Sequence, residues 1–103
     1  MKEIRMFDST KNAPIVMDVP TDFDELEHYS SRFIRRTQGY TLRLDENCFC
    51  VVPHDECGSP FEHLYFFRDG YMRIGMASGR LFRTWEQMWF IITSITAQNL
   101  RRY

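Results

Sequence analysis

HLYFFRDGYMRIGMA, residues 63–77, is the stretch whose reading decides the fold. Two β-prone runs, 63–68 and 71–77, flank Asp69-Gly70. Asp-Gly between such runs is a strong hairpin signal, because a two-residue type I′ turn needs positive φ at both central positions. Read with a two-residue turn, the hairpin pairs Phe67 with Met72, Tyr65 with Ile74 and His63 with Met76. That face is apolar and is expected to meet the helices. The reverse face pairs Arg68 with Tyr71, Phe66 with Arg73 and Leu64 with Gly75. A glycine at position 75, inside a strand, signals a bulge or a close backbone approach.

Downstream, TWEQMWFIITSITAQNLRR, residues 84–102, has helical periodicity. Thr84 with Gln87 three positions on forms a capping box. Trp85, Met88, Trp89, Ile92 and Ile95 make a core stripe, and Phe90 and Ile91 widen the apolar arc. A helix apolar over so much of its circumference is either covered on two sides or leaves a patch for a partner.

Upstream, residues 2–7 and 14–19 read as strands joined by polar turn residues, with Pro14 suited to a strand end. Pro20 ends the second strand. Thr21 or Asp22 caps a helix, with Glu25 in capping-box position. Phe23, Leu26, Tyr29 or Ser30, Phe33 and Ile34 recur at helical spacing. Acids fill the first turns and Arg32, Arg35 and Arg36 the last, which complements the helix dipole. Gly39 is the expected stop. Residues 40–44 and 48–52 form the next hairpin. With Glu46-Asn47 as a two-residue turn, Leu44 opposes Phe49 and Leu42 opposes Val51, on a core face shared with Tyr40. Arg43, Cys48, Cys50 and Val52 fall on the other face. Residues 53–60, with Gly58 and Ser59, are a loop.

A chain of 103 residues with 44% apolar and 16% aromatic residues is one domain able to bury a core without staples. Net charge is −1, which excludes a global pull toward nucleic acid or membrane. The charge is uneven: residues 1–66 balance at −5 and residues 67–103 at +4. Eleven of the thirteen cations are arginine, whose planar fork suits recognition surfaces. Three cysteines without a signal peptide fit a reduced, cytoplasmic protein. The longest apolar run, residues 88–92, is too short to span a bilayer.

Cys48, Cys50, His54, Cys57 and His63 hold the atom types of a zinc site, with Asp55, Glu56 and Glu62 nearby. The set lacks a Cys-x2-Cys knuckle, and free cysteine is a common small buried residue. The balance favours structural cysteines, no metal and no cofactor. Cys50 or Cys57 with His54 or His63 is the nearest approach to a nucleophile and base, but no oxyanion-forming turn accompanies either thiol. No stretch carries a motif that names a family.

The expected class is α+β, in the order ββαββββα, with an antiparallel sheet and two helices packed on one face. Leu64, Phe66, Arg68, Tyr71 and Arg73 are the expected binding residues, on a sheet face left open by the helices. Arg32, Arg35 and Arg36 form a second patch. The expected function is a small non-enzymatic protein-binding module, an inhibitor or adaptor of the kind viruses and mobile elements use against a host machine. Its partner is another protein or a second copy of the chain. The alternative is a nucleic-acid-binding domain using the arginine-rich half, since aromatics interleaved with arginines resemble single-strand binders. A small cysteine-dependent enzyme or zinc-stabilised module ranks behind both.

Overall fold

The structure, a computed structural model, describes residues 2–8, 10–54, 57–76 and 79–101. Ala77 and Arg102, the sequence-read ends of a strand and a helix, lie outside the described residues, as do Asp55 and Glu56. The fold is α+β. Strands β1 (Lys2–Asp8) and β2 (Ala13–Val19) form a separate two-stranded hairpin. Helix α1 (Phe23–Arg35) follows, then a five-stranded antiparallel meander and helix α2 (Trp85–Arg101). The meander runs β3 (Tyr40–Asp45), β4 (Cys48–Val52), β5 (Leu64–Phe67), β6 (Tyr71–Ile74) and β7 (Leu81–Phe82). The β7 pair is an addition to the expected order, and the strands divide between two sheets.

Both helix starts form as their sequences imply. Asp22 is the N-cap of α1, and its Oδ1 accepts the Glu25 N–H at 2.8 Å. The Glu25 carboxylate accepts from the backbone N–H and hydroxyl of Thr21, one residue further back than a standard capping box. At α2 the box is reciprocal: Gln87 N–H donates to Thr84 Oγ1 at 3.2 Å and Thr84 N–H donates to Gln87 Oε1 at 3.1 Å. α1 ends in a Schellman-type pair, Gln38 N–H to Arg35 O and Gly39 N–H to Ile34 O at 2.8 Å. The left-handed residue is Gln38, at φ 68°. Gly39 is needed for a different reason: a Cβ there would run into the Ile34 side chain and lie 2.7 Å from Val52 O.

The core lies between the helices and one face of the meander. It gathers Phe23, Leu26 and Ile34 of α1, Met88, Trp89 and Ile92 of α2, and Phe49, Val51, Leu64, Phe66 and Met72 of the sheet. Val19 of β2 joins it. α2 meets α1 on one side and β2 on another, so its wide apolar arc is covered by two elements. Phe90, Ile91 and Ile95 are partly buried against the cluster.

Two registers differ from the sequence reading, each by one residue. In the β5–β6 hairpin, Phe66 pairs with Met72, Tyr65 with Arg73 and Leu64 with Ile74. Three residues, 68–70, therefore make the loop, with Gly70 at φ 91° and its N–H donating to Phe67 O. A three-residue loop with glycine last is the alternative closure to the tight two-residue turn. One residue of slip exchanges the two faces. Leu64 and Phe66 are thus core residues, at 1% and 0% exposure, and are withdrawn from the expected open face. Tyr65 and Phe67, expected in the core, point the other way.

In the β3–β4 hairpin the expected turn is present, with Asp45 opposite Cys48. A bulge at Leu44 then sets Arg43 opposite Phe49, Leu42 opposite Cys50 and Thr41 opposite Val51. Leu42 and Leu44, expected in the core, are about half exposed, and Tyr40 is exposed beside them. The shift turns Arg43 and Thr41 toward α1. Arg43 makes a two-point contact with Glu27, at 2.6 and 2.7 Å, and approaches Asp24 at 3.4 Å. Thr41 and Ser31 share a hydroxyl–hydroxyl hydrogen bond.

Candidate interaction surface on the outer face of the sheet

The face turned away from the helices is built by alternation along each strand. β4 contributes Cys48, Cys50 and Val52. β5 contributes Phe67 opposite Cys48 and Tyr65 opposite Cys50. β6 adds Arg73, opposite Tyr65, and Tyr71, which stands opposite Phe82 of β7. All five residues of β4 are buried, so large side chains from the neighbouring strands shelter its outer positions as well as its inner ones.

Guanidiniums lie on the rings of this face. The Arg73 Cζ is 4.4 Å from the centroid of Tyr65. The Arg80 Cζ is 3.9 Å from the centroid of Phe67 and 4.8 Å from that of Tyr71. Arg80 also approaches Asp69 at 3.7 Å. The Nε of Arg73 is buried without a hydrogen-bond partner. Tyr71 and Phe82 meet edge to face at 5.6 Å, and both are open to solvent, Phe82 at 70%. Two depressions adjoin the face at opposite ends of β5. One, of about 330 Å³, is lined by Asn47, Phe67, Arg68, Asp69 and Arg80. The other, of about 300 Å³, is lined by Glu62, His63, Tyr65, Gly75 and Met76. Gly75 sits at φ 56°, where a Cβ would lie 2.8 Å from Glu62 Oε1. Gly75 stands one residue beyond β6, in a turn, and its near neighbour is a side-chain carboxylate, so it marks neither a bulge within the strand nor a close backbone approach.

Of the expected binding residues, the structure brings Tyr71 and Arg73 onto this face. Arg68 is in the loop and turns inward as a structural tie. Its guanidinium lies 4.4 Å over the Phe23 ring, donates to Glu46 O and approaches Asp24 at 3.3 Å. Hydrogen bonding by Arg68, aided by Arg43, holds the Asp24 carboxyl below its usual range. The residues that the sequence reading missed on this face are Tyr65, Phe67, Arg80 and Phe82, with Tyr40 and Leu42 of β3, which stand opposite Val52 and Cys50. The Arg-Asp-Gly order was the available signal for the first two, since glycine in third place suits the longer loop.

The second expected patch divides. Arg32 and Arg36 line a groove of about 230 Å³ with Tyr29, Phe33 and Trp89, and Arg35 is absent from its lining. The candidate zinc ligands do not converge. Cys48 and Cys50 are buried in β4, Cys57 is exposed, His54 packs against Tyr40 and His63 against Tyr65. Among the described residues, no three His, Cys, Asp or Glu side chains could hold a metal ion. Burial pushes the Cys50 thiol up to about 11, reinforced by Cys48 and opposed by Arg73 and Tyr65. Among the described residues no helix is long and apolar enough to cross a membrane. Compared with protein-family models, curated proteins and solved structures, the chain matches none.

Proposed function

We propose that this chain is a small non-enzymatic protein-binding module, an inhibitor or adaptor, that grips its partner with the β6–β7 side of the sheet's outer face. The observation that carries this reading is the exposed edge-to-face pair Tyr71 and Phe82 beside Arg80, on the face without helices. Aromatic and arginine side chains are the types enriched at interface cores and hot spots. The adjoining depressions offer sockets for partner side chains, and hot spots cluster at such pockets.

A single-strand nucleic-acid platform is less well supported. Bases need open ring faces to stack on. Here guanidiniums already lie over Tyr65, Phe67 and Tyr71, which leaves Phe82 alone among these four rings to stack on, where single-strand platforms use successive rings. Cysteine chemistry at Cys50 is also disfavoured, because that thiol is buried in β4 and burial pushes its pKa up, whereas reactive cysteines are accessible and have lowered values.

The test is comparative capture from cells of the native source, with wild type, Phe82→Asp and Arg80→Glu as baits. A protein retained by wild type and lost by both variants, whose melting temperatures stay near wild type, supports the reading. Identical captures from all three baits refute it, as does saturable binding of single-stranded oligonucleotides that both variants abolish. Light scattering on wild type identifies a second copy as the partner if the mass is doubled and Phe82→Asp restores the monomer.

A further inference from the structure

We propose that the groove between α1 and α2 is a second docking site, which takes a partner-protein segment carrying an apolar side chain flanked by carboxylates. The site lies on the helices and does not depend on the sheet-face reading. Tyr29, Arg32 and Phe33 of α1 and Arg36, its C-cap, are spaced by three, one and three residues, and Arg36 keeps helical dihedrals, so the four share one stripe. Trp89 of α2 supplies the opposite wall. Trp89 meets both rings of α1 edge to face, Phe33 at 5.6 Å and Tyr29 at 6.4 Å. The rings therefore make an apolar floor. Its volume of about 230 Å³ is below the usual range for small-molecule sites, roughly 300–1,000 Å³, and suits a single inserted side chain.

Charge selects the occupant. Arg32 and Arg36 are exposed at the rim, one helical turn apart. Among the described residues neither guanidinium has an ion-pair or hydrogen-bond partner. The acids of α1 lie toward its other end: Asp24 and Glu25 are in the first turn, and Glu27 is held by Arg43. Dipole complementarity accounts for cations at this end of the helix. It does not account for two of them bracketing an aromatic floor while Arg35, at the same end, stays out of the lining. Two guanidinium forks one turn apart match two carboxylates on an extended segment. A nucleobase is a poor fit, because Trp89 is 9% exposed and the rings meet at their edges and faces. The Trp89 Nε1 is buried without an acceptor, which leaves a spectroscopic probe in the wall of the groove.

The probe ligands are short capped peptides of Glu and Asp around a central Leu or Phe, with Lys-for-acid counterparts. Binding is read by two-dimensional ¹H–¹⁵N spectra of the full chain. Trp85→Phe assigns the Trp89 indole signal by leaving it as the remaining one. The acidic peptides should shift that signal and the amides of residues 29–36 saturably. Arg32→Glu and Arg36→Glu should each weaken binding at least roughly ten-fold. Arg35→Glu, the same charge change off the stripe, and Tyr71→Asp, on the sheet face, should each change it less than about two-fold. Four results overturn the proposal: no saturable shift at millimolar peptide, equal shifts from the Lys counterparts, equal losses in Arg35→Glu and Arg36→Glu, or tighter binding of an oligothymidylate at the same signals. Loss of the sheet-face partner in capture experiments would leave all of these readouts unchanged.

Discussion

Phe66 and Phe67 are neighbours in sequence and opposites in the fold, so truncating each in turn tests the register of the whole meander. Phe66 is fully buried, stacked on Phe49 at 5.3 Å, and Phe49 in turn packs on Phe23 at 5.1 Å. Phe66→Ala removes a core ring from the centre of that column, which costs about 3–5 kcal/mol. A domain of this length holds on the order of 5–15 kcal/mol in total. At roughly 5 °C per kcal/mol, the melting temperature should fall by about 15–25 °C. Phe67 is half-buried on the outer face, and its specific partner is Arg80, 3.9 Å above the ring. Phe67→Ala loses about 0.5–1 kcal/mol of cation–π contact plus partial burial, a total near ~1–2 kcal/mol. Its melt should move by less than about 10 °C. Aspartate sharpens the contrast: Phe66→Asp should fail to fold, and Phe67→Asp should fold. Circular dichroism melts with urea titrations at constant m-value decide the matter. If Phe67→Ala costs more than Phe66→Ala, the β5–β6 hairpin closes with a two-residue turn and the face described as outer is the core.

Two further predictions concern charge and thiols. Hydrogen bonding from Arg68, then its charge and the contact from Arg43, hold Asp24 below its ordinary 3.8 in the folded state. Its contribution is therefore present above about pH 4 and lost as pH falls through the folded-state value, so the melting-temperature gap between wild type and Asp24→Asn should be full at pH 6 and narrow toward pH 2. With a thiol-specific reagent at pH 8, Cys57 should react promptly and Cys48 and Cys50 only on unfolding, because burial pushes both buried thiols up; mass spectrometry showing early modification of Cys50 would contradict this placement.

What the sequence made legible was local. The capping pairs at Asp22–Glu25 and Thr84–Gln87 depend on residues three apart, and both formed. The three major hairpins formed as well, since turn residues announce where a chain reverses. What failed was phase. Leu64-Tyr65-Phe66-Phe67 is apolar at every position, so the strand carries no alternation to say which residues face inward. The phase had to come from the loop, where two residues or three give opposite answers. Cys48-Phe49-Cys50-Val51-Val52 is equally uninformative, and the bulge at Leu44 displaced the pairing on its other side. There the deciding contacts, Arg43 with Glu27 and Thr41 with Ser31, join residues ten or more positions apart. β7 is two residues long, too short for any periodicity to mark it.

The same loss of alternation narrows where a partner can sit. From sequence, two helices cannot cover both faces of the sheet, which makes the whole open face a candidate for contact. The structure has β4 buried on both faces, with Val52 at 0% and Cys50 at 2% exposure on the side without helices. Phe67 stands opposite Cys48, Tyr65 opposite Cys50 and Tyr40 opposite Val52, so the buried β4 strip at the centre of that face offers a partner no further apolar burial. What remains wet are the margins. The β3 edge exposes Tyr40, Leu42 and Leu44, but its bulge disrupts the ladder there, a common protection against edge pairing. Among the described residues the β6–β7 pairing has no register shift, and this margin exposes Phe82 and Tyr71 and has Arg80 over one of the rings. Unburied apolar area and an orienting charge coincide there, so the proposed contact is assigned to Phe82, Tyr71 and Arg80 rather than to the sheet face at large.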